Sequence, residues 1–504
     1  MPNRNLVQKQ REVNEEAHLV EGLFLSGYSK SSLSKLKIVI SGGGPVGLML
    51  AISLNDLFKE YIDITIYEAR WKAVDGRIFW KSKEDGNSRR QQVVTIQSRP
   101  FSLLPRDLQA ALMQAGICSE IWPYSEDSPK LIGRPKSFHI KDLEDHLLDY
   151  ALKTDIKLIP QTFTIDKPTV ALYDILAICE GSHSPTRKTL KDKFGEGDQT
   201  PYSINGKQVV DTVLGLQVKS RIKSAAAVFL TIIQNRYLLN VDQQGFGYLN
   251  LRLTAAEAEQ WENRTGAIPA ELLKHIQQGL KLFDILPADM KSIHSFKLSM
   301  VHRNRFSTQL NQSGKQKPQF AFLLGDAANA LHFWPGRGLS QGILSALSLA
   351  HCLLDRWRPD KAFREADFSK HEGIMHMLQH RHKTRAWYAM TKSIDDQLYP
   401  IQELITNSHL TQPNDKAVLI DALMERCFNL RKNLADRLAE KCALTSLYRK
   451  LRMLEVETLQ MLVGGGQWET QLSGGPEIRL NDFYVSKPPL IPFQKPRLAT
   501  HICG

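Results

Sequence analysis

Six consecutive residues, Gly42-Gly43-Gly44-Pro45-Val46-Gly47, place glycine at each fixed position of a G-x-G-x-x-G pattern. Glycines there permit a tight turn and close backbone approach, and a helix opening at such a turn presents free N–H groups and a positive dipole end to a pyrophosphate. The chemistry implied is a dinucleotide cradle. A carboxylate should then end the following strand and accept hydrogen bonds from the adenosine ribose hydroxyls; Glu68 stands 68 − 47 = 21 positions after the last glycine. A purely structural glycine turn is the alternative, and the motif by itself does not separate NAD from FAD.

A second, distant segment has the same character. Gly325-Asp326-Ala327-Ala328 follows the apolar run Phe320 to Leu324, and Pro335-Gly336-Arg337-Gly338 leads into a helical stretch starting near Leu339. The chain has no H-E-x-x-H, no G-x-S-x-G and no paired-cysteine spacing, so neither metal hydrolysis nor an activated serine is indicated. The six cysteines (Cys118, Cys179, Cys352, Cys427, Cys442 and Cys503) are far apart, which fits reduced thiols in a cytoplasmic compartment and no metal. His376, His380 and His382, with Arg381 and Lys383, form a basic stretch that reads as a metal or phosphate site or as a solvated face.

These residues need elements to hold them. Lys37-Ile38-Val39-Ile40 reads as a buried parallel strand, Val46 to Phe58 as a helix and Ile62 to Tyr67 as a second strand, a β-α-β unit. From Thr212 to Leu253 the pattern changes to strands separated by turns: Thr212 to Val218, Ala225 to Ile233, Tyr237 to Val241 and Gly247 to Leu253. Helices are expected at Ala255 to Trp261 and Ala270 to Phe283, a strand at Ser295 to Val301, and a largely apolar helix at Leu339 to Trp357. After Asp360 the chain reads as almost wholly helical, with Leu423, Cys427, Leu430, Leu434 and Leu438 on one face and Leu447, Leu451 and Leu454 repeating the rhythm; that face packs on the catalytic body or forms a separate partner-binding helix pair. The expected fold is α/β: a discontinuous Rossmann-like dinucleotide-binding domain over 35–200 and 300–358, which the resemblance described next makes an FAD-binding domain, an inserted, mainly antiparallel domain over 201–299, which it makes the substrate domain, a helical region with an extended tail over 359–504, and an extension over 1–34.

The pairing of the two glycine segments resembles the group A FAD-dependent, aromatic-hydroxylase-like flavoprotein monooxygenases. That resemblance implies that Asp326 binds the ribityl chain and that the helix start at Pro335, Gly338 and Leu339 faces the flavin pyrimidine ring, where a helix N-terminus stabilises the negative charge of a reduced flavin. Asp174 to Ser184 is similar to the family's strand followed by Asp-Gly, with Glu180 in place of the aspartate and Arg187 close behind. Locally, Phe333-Trp334-Pro335, Glu68-Ala69-Arg70 and Ser88 to Val94 are similar to the MICAL monooxygenase domain, which oxidises actin methionines. On that comparison Arg70 and Arg90 neutralise FAD phosphates, Gln92 stands where an asparagine touches the flavin, and Phe333 and Trp334 gate the ring or contact substrate, core packing being the alternative for this aromatic pair.

The resemblance implies an oxidoreductase in which NAD(P)H reduces FAD and O₂ forms a flavin C4a-hydroperoxide that oxygenates a small aromatic molecule or a protein side chain. Two other functions remain open: an NAD(P)H oxidase or reductase producing H₂O₂, and an FAD-binding scaffold whose helical C-terminus recruits a partner. The excess of 65 Lys+Arg over 53 Asp+Glu favours an acidic partner such as actin, because long-range attraction speeds encounter. No nucleic-acid-binding signature accompanies the charge, and the two uncharged runs, Ile38 to Asn55 and Gly338 to Leu354, are broken by glycines and polar residues, so no transmembrane segment is expected.

Overall fold

The computed structural model describes residues 34–114, 116–120, 135–165, 173–195, 203–204, 206–222, 224–242, 244–298, 301–311, 317–329, 334, 336–434, 444–468 and 478–484. Strand β1 (Leu36–Ser41) alternates toward full burial and runs into helix α1 (Pro45–Phe58), which returns the chain to β2 (Ile62–Tyr67), parallel to β1 with Leu36 opposite Ile62. The apolar strand β9 (Ile175–Ile178) pairs in parallel on the other side of β1, and β15 (Phe320–Leu323) pairs in parallel with β9. Short strands β8 (Lys157–Ile159) and β14 (Ser307–Gln309) close the two edges, giving the order β14-β15-β9-β1-β2-β8, parallel except for β14. All-apolar runs such as Ile175–Ile178 and Phe320–Leu323 fit strands covered on both faces.

Between these strands lie a ribbon, β3 (Trp71–Val74) with β4 (Arg77–Trp80), and a three-stranded antiparallel sheet ordered β5 (Val93–Ile96), β7 (Lys136–His139), β6 (Cys118–Glu120). Helix α2 (Ile140–Ala151) follows β7 directly. The insertion is a four-stranded antiparallel sheet ordered β11 (Tyr237–Val241), β12 (Phe246–Arg252), β10 (Asp211–Lys219), β13 (Ser292–Leu298). One expected strand is a helix: Ser224–Ile232 is α-helical, because Ser-Ala-Ala-Ala favours helix and its apolar residues do not alternate.

The helical C-terminal region divides between two cores. Phe368, Ile374, Met375, Leu378, Leu480 and Tyr484 join the core of the parallel sheet. Leu419, Leu423, Cys427, Leu430, Leu447, Leu451 and Leu462 join the core of the insertion with Leu214, Leu216, Leu249 and Leu251. The region is also not uninterrupted helix: a hairpin, Thr391–Ile394 with Gln397–Pro400, breaks it at Asp395 and Asp396, both at positive φ, a conformation Asp tolerates in a tight turn. Leu438 and the Pro-rich tail lie outside the described residues. No helix among the described residues is long and apolar enough to cross a membrane.

Candidate dinucleotide site

The carboxyl ends of β2, β1, β9 and β15 form one edge, and the glycine segments sit on it. Gly42 follows β1 at φ +102°, and a Cβ there would fall 2.6 Å from the Cys179 carbonyl carbon. A Cβ at Gly47 would run into the Gly42 carbonyl oxygen. Both positions therefore require glycine for a backbone turn. Gly44 differs, because a Cβ there would meet only the Arg70 guanidinium, at 3.4 Å. Helix α1 begins at this open position with Pro45 and no side-chain cap, leaving first-turn N–H groups for an anion.

Glu68, just past β2, is buried and fully engaged. Its Oε2 accepts from the Gly43 N–H at 3.0 Å and Arg70 Nη2 at 2.8 Å; its Oε1 accepts from Arg70 N and Nε, both at 3.0 Å. Burial alone would raise this carboxyl's pKa, but the Arg70 hydrogen bonds and charge outweigh it and hold the group below its ordinary value. Arg70 also reaches Glu144 (3.4 Å), as do Arg89 (3.3 Å) and Arg90 (3.2 Å). Glu144 is 1% exposed, the common anchor of three guanidiniums. The Trp80 ring lies between two of them, with Arg70 4.9 Å and Arg89 4.6 Å from its centroid.

At the other end, β15 leads to Gly325 at φ +56°, whose N–H donates to Ser345 Oγ at 3.1 Å. Helix α5 (Gly338–Arg356) then crosses α1 closely: a Cβ at Gly342 would lie 2.6 Å from Val46 Cγ2. This helix start also lacks a side-chain cap, and a Cβ at Gly338 would meet nothing within 4 Å. Ser340 ties the helix start to β5, accepting from Gln97 N at 2.9 Å and donating to Thr95 O at 3.3 Å. Asp326 follows Gly325 with an exposed side chain. The shortage of bulk water raises its carboxyl's pKa, and the Arg90 guanidinium acts in the opposite direction.

The structure therefore brings Gly42, Gly44, Gly47, Glu68, Arg70 and Arg90 to one part of the edge and Asp326, Gly338 and Leu339 to another. Gln92 lies beside β5, its side-chain oxygen buried with no partner among the described residues. Trp334 is packed away: it is 2% exposed, with the Arg252 guanidinium 4.4 Å over its ring and Trp468 at 6.2 Å. Phe333 and Pro335 lie outside the described residues. His376 and His380 are exposed, whereas His382 is buried, so the three histidines share no face.

Sequence reasoning missed three features. Glu180 is held in a hydroxyl clamp: it accepts from the Ser41 and Ser184 hydroxyls, from Thr186 Oγ1 at 2.7 Å and from Thr186 N at 3.0 Å. The Ser and Thr residues at 184 and 186 are the signal that could have disclosed this clamp. Glu144 as an arginine anchor has no sequence signal, since it comes from a helix distant in the chain. The third feature is a pair of cations: Arg187 donates to Ala327 O at 3.1 Å, and buried Arg303 is pushed down to about 10 by burial and by the neighbouring Arg187 charge. Arg303 Nε has no partner among the described residues.

No family model matches the chain, and no curated protein matches it. Among solved structures the chain is similar to CmlS, a flavin-dependent halogenase (15% identity, 88% of this chain and 74% of that one, TM-score 0.49). It is similar also to the Diels-Alderase PyrE3 (15%, 82% and 80%, TM-score 0.46) and to 2-methyl-3-hydroxypyridine-5-carboxylic acid oxygenase (18%, 68% and 89%, TM-score 0.44). Similarity at this level assigns neither family nor chemistry.

Proposed function

We propose that the chain is an FAD-dependent, NAD(P)H-using monooxygenase. The observation that carries this reading is the arrangement on one sheet edge: two helix N-termini without side-chain caps, opening at Gly44 and Gly338, with arginines at one and Asp326 at the other. A single N-terminus would suit any phosphate. Two of them, with the ribose-type carboxylate Glu68 at one end and Asp326 at the other, suit an elongated dinucleotide. The orphaned Gln92 side-chain oxygen fits a donor supplied by such a group.

FAD bound here would supply redox chemistry, reducing O₂ and delivering one oxygen atom to the substrate. The chain's own groups would do the positioning. The backbone around Gly42, Gly44 and Gly47 would receive the pyrophosphate, with Arg70 and Arg90 as counter-charges. Glu68 would receive the ribose hydroxyls, which requires Arg70 to yield acceptor positions and turn toward a phosphate. Asp326 would hold the ribityl hydroxyls, and N–H groups at Gly338 and Leu339 would face the pyrimidine edge of the ring. Arg187 and Arg303, two neighbouring cations, the Nε of buried Arg303 having no partner among the described residues, suit the phosphates of NAD(P)H.

The test is an absorbance titration of purified protein, anaerobically with NADPH and then NADH, followed by air. Bleaching of an oxidised-flavin band and its return with oxygen is the expected result. Absence of flavin after reconstitution with FAD would overturn the cofactor assignment; bound flavin that neither nicotinamide reduces would point to a scaffold. Peroxide formed in stoichiometric yield with every substrate tried would point to an oxidase. Purified actin is the macromolecular substrate to include, following the local motif resemblance.

A further inference from the structure

Strands β5 and β7 turn one face away from the parallel sheet. Thr95 Oγ1 and Ser137 Oγ lie 3.3 Å apart on it, and Val93 pairs with His139. The insertion sheet meets this face: Asn240 Nδ2 donates to Val93 O at 2.7 Å, and His139 Nε2 lies 2.7 Å from Asp242 Oδ2. His139 Nδ1 lies 3.0 Å from the Gln91 carbonyl oxygen. The Asn240 and His139 contacts clasp the two sheets together.

Beyond the clasp the sheets separate around a cavity of about 410 Å³, the size of a small-molecule site. Its lining is polar on both walls: Gln91, Ser137 and His139 from one body, and Gln217, Asp242 and Gln244 from the other. Two charges of opposite sign also line it. Asp142, on the first turn of α2, has no ion-pair or hydrogen-bond partner for its carboxylate among the described residues. Lys291 contributes an ammonium whose only described contact is the Phe246 ring at 5.6 Å. Asp142 is half-buried and Lys291 is exposed; an apolar occupant would pair neither, whereas a molecule carrying one charge of each sign would pair both.

We propose that this inter-sheet cavity binds a zwitterionic small molecule of aromatic amino-acid size, with Lys291 receiving its carboxylate and Asp142 its ammonium. The cavity stands on its own geometry; that its occupant is the molecule oxygenated rests on the flavin reading above. The ring is required only by that second clause, since oxygen transfer needs an electron-rich group.

Isothermal calorimetry on the full chain with L-tryptophan, tryptamine and indole-3-propionate tests the proposal, because these probes share a ring and differ in charge. L-tryptophan should bind at least tenfold more tightly than either singly charged probe. Asp142→Asn should reduce L-tryptophan to the affinity of indole-3-propionate, and Lys291→Gln to that of tryptamine. Both variants alter partly exposed groups, and far-UV circular dichroism confirms their folding. Equal binding of the three probes, or binding by none, overturns the proposal, as does unchanged L-tryptophan affinity in both variants. Calorimetry reads binding without flavin chemistry, so loss of the flavin reading and loss of this site give different results.

Discussion

At Glu144 three guanidiniums meet one carboxylate that solvent barely reaches. Glu144→Gln keeps the shape and removes the charge, leaving the arginines to repel one another. Because Arg70 and Arg90 are more than a third exposed, screening holds the expected loss to about 2 kcal/mol, read by urea unfolding. FAD affinity should fall with it, as Arg70 and Arg90 lose their common anchor. Gly47→Ala tests the turn: its Cβ would displace the Gly42 carbonyl, so the purified variant should carry no flavin.

Two carboxylates of the same edge should respond oppositely to pH. Glu68 has a lowered folded pKa, so its contribution is present above the ordinary glutamate value and is lost as pH falls through the folded value. Asp326 has a raised one, so the cofactor-free protein gains stability below the ordinary aspartate value and loses it as pH rises through the folded value. Asp326→Asn should therefore raise the thermal midpoint of the cofactor-free protein at pH 7 while weakening FAD binding. An unchanged midpoint would show that the surrounding protein does not strip water from this carboxyl. Of these residues the sequence discloses the glycines and Glu68, because backbone turns and strand ends leave spacing rules, whereas Asp326 is pointed to only by the family resemblance. Glu144, Trp80 and Arg303 are invisible in it, because their roles arise only when distant segments meet.

Among the elements, helix α5 is tied at its start by Ser340, which donates to Thr95 O in β5 and accepts from Gln97 N just past it. Ser340→Ala should cost about 1 kcal/mol and broaden the bound-flavin absorbance band, since the N–H groups facing the ring would no longer be held in register. The parallel strands and both glycine-to-helix junctions were legible as apolar runs ending at glycines. Ser224–Ile232 is ambiguous: Ser-Ala-Ala-Ala favours helix, but the short apolar run that follows fits a buried strand as well. The hairpin at Thr391–Ile394 was missed for another reason: its turn is Asp-Asp, without the glycine that usually marks such a turn.

At the scale of the whole molecule, the C-terminal helices do not form a separate layer but complete the core behind the insertion sheet. Leu423 is fully buried among Leu214, Leu249, Leu447 and their neighbours. Leu423→Ala should destabilise the protein by about 2–5 kcal/mol, and limited proteolysis should then cut first in the insertion rather than in the parallel sheet. Cleavage confined to the C-terminal helices would show that the two segments fold independently.

That shared core also sets a timetable for synthesis. The last strand of the insertion ends at Leu298, and the helix that seals its back extends to Gly464, 464 − 298 = 166 residues later. At cellular elongation rates this leaves the part of the insertion's apolar core that the C-terminal helices complete open for about 10–30 s after its own strands have left the ribosome. The nascent chain must be shielded through that interval, so the yield of soluble protein should depend on chaperone supply and elongation speed more steeply than the stability of the finished molecule would suggest.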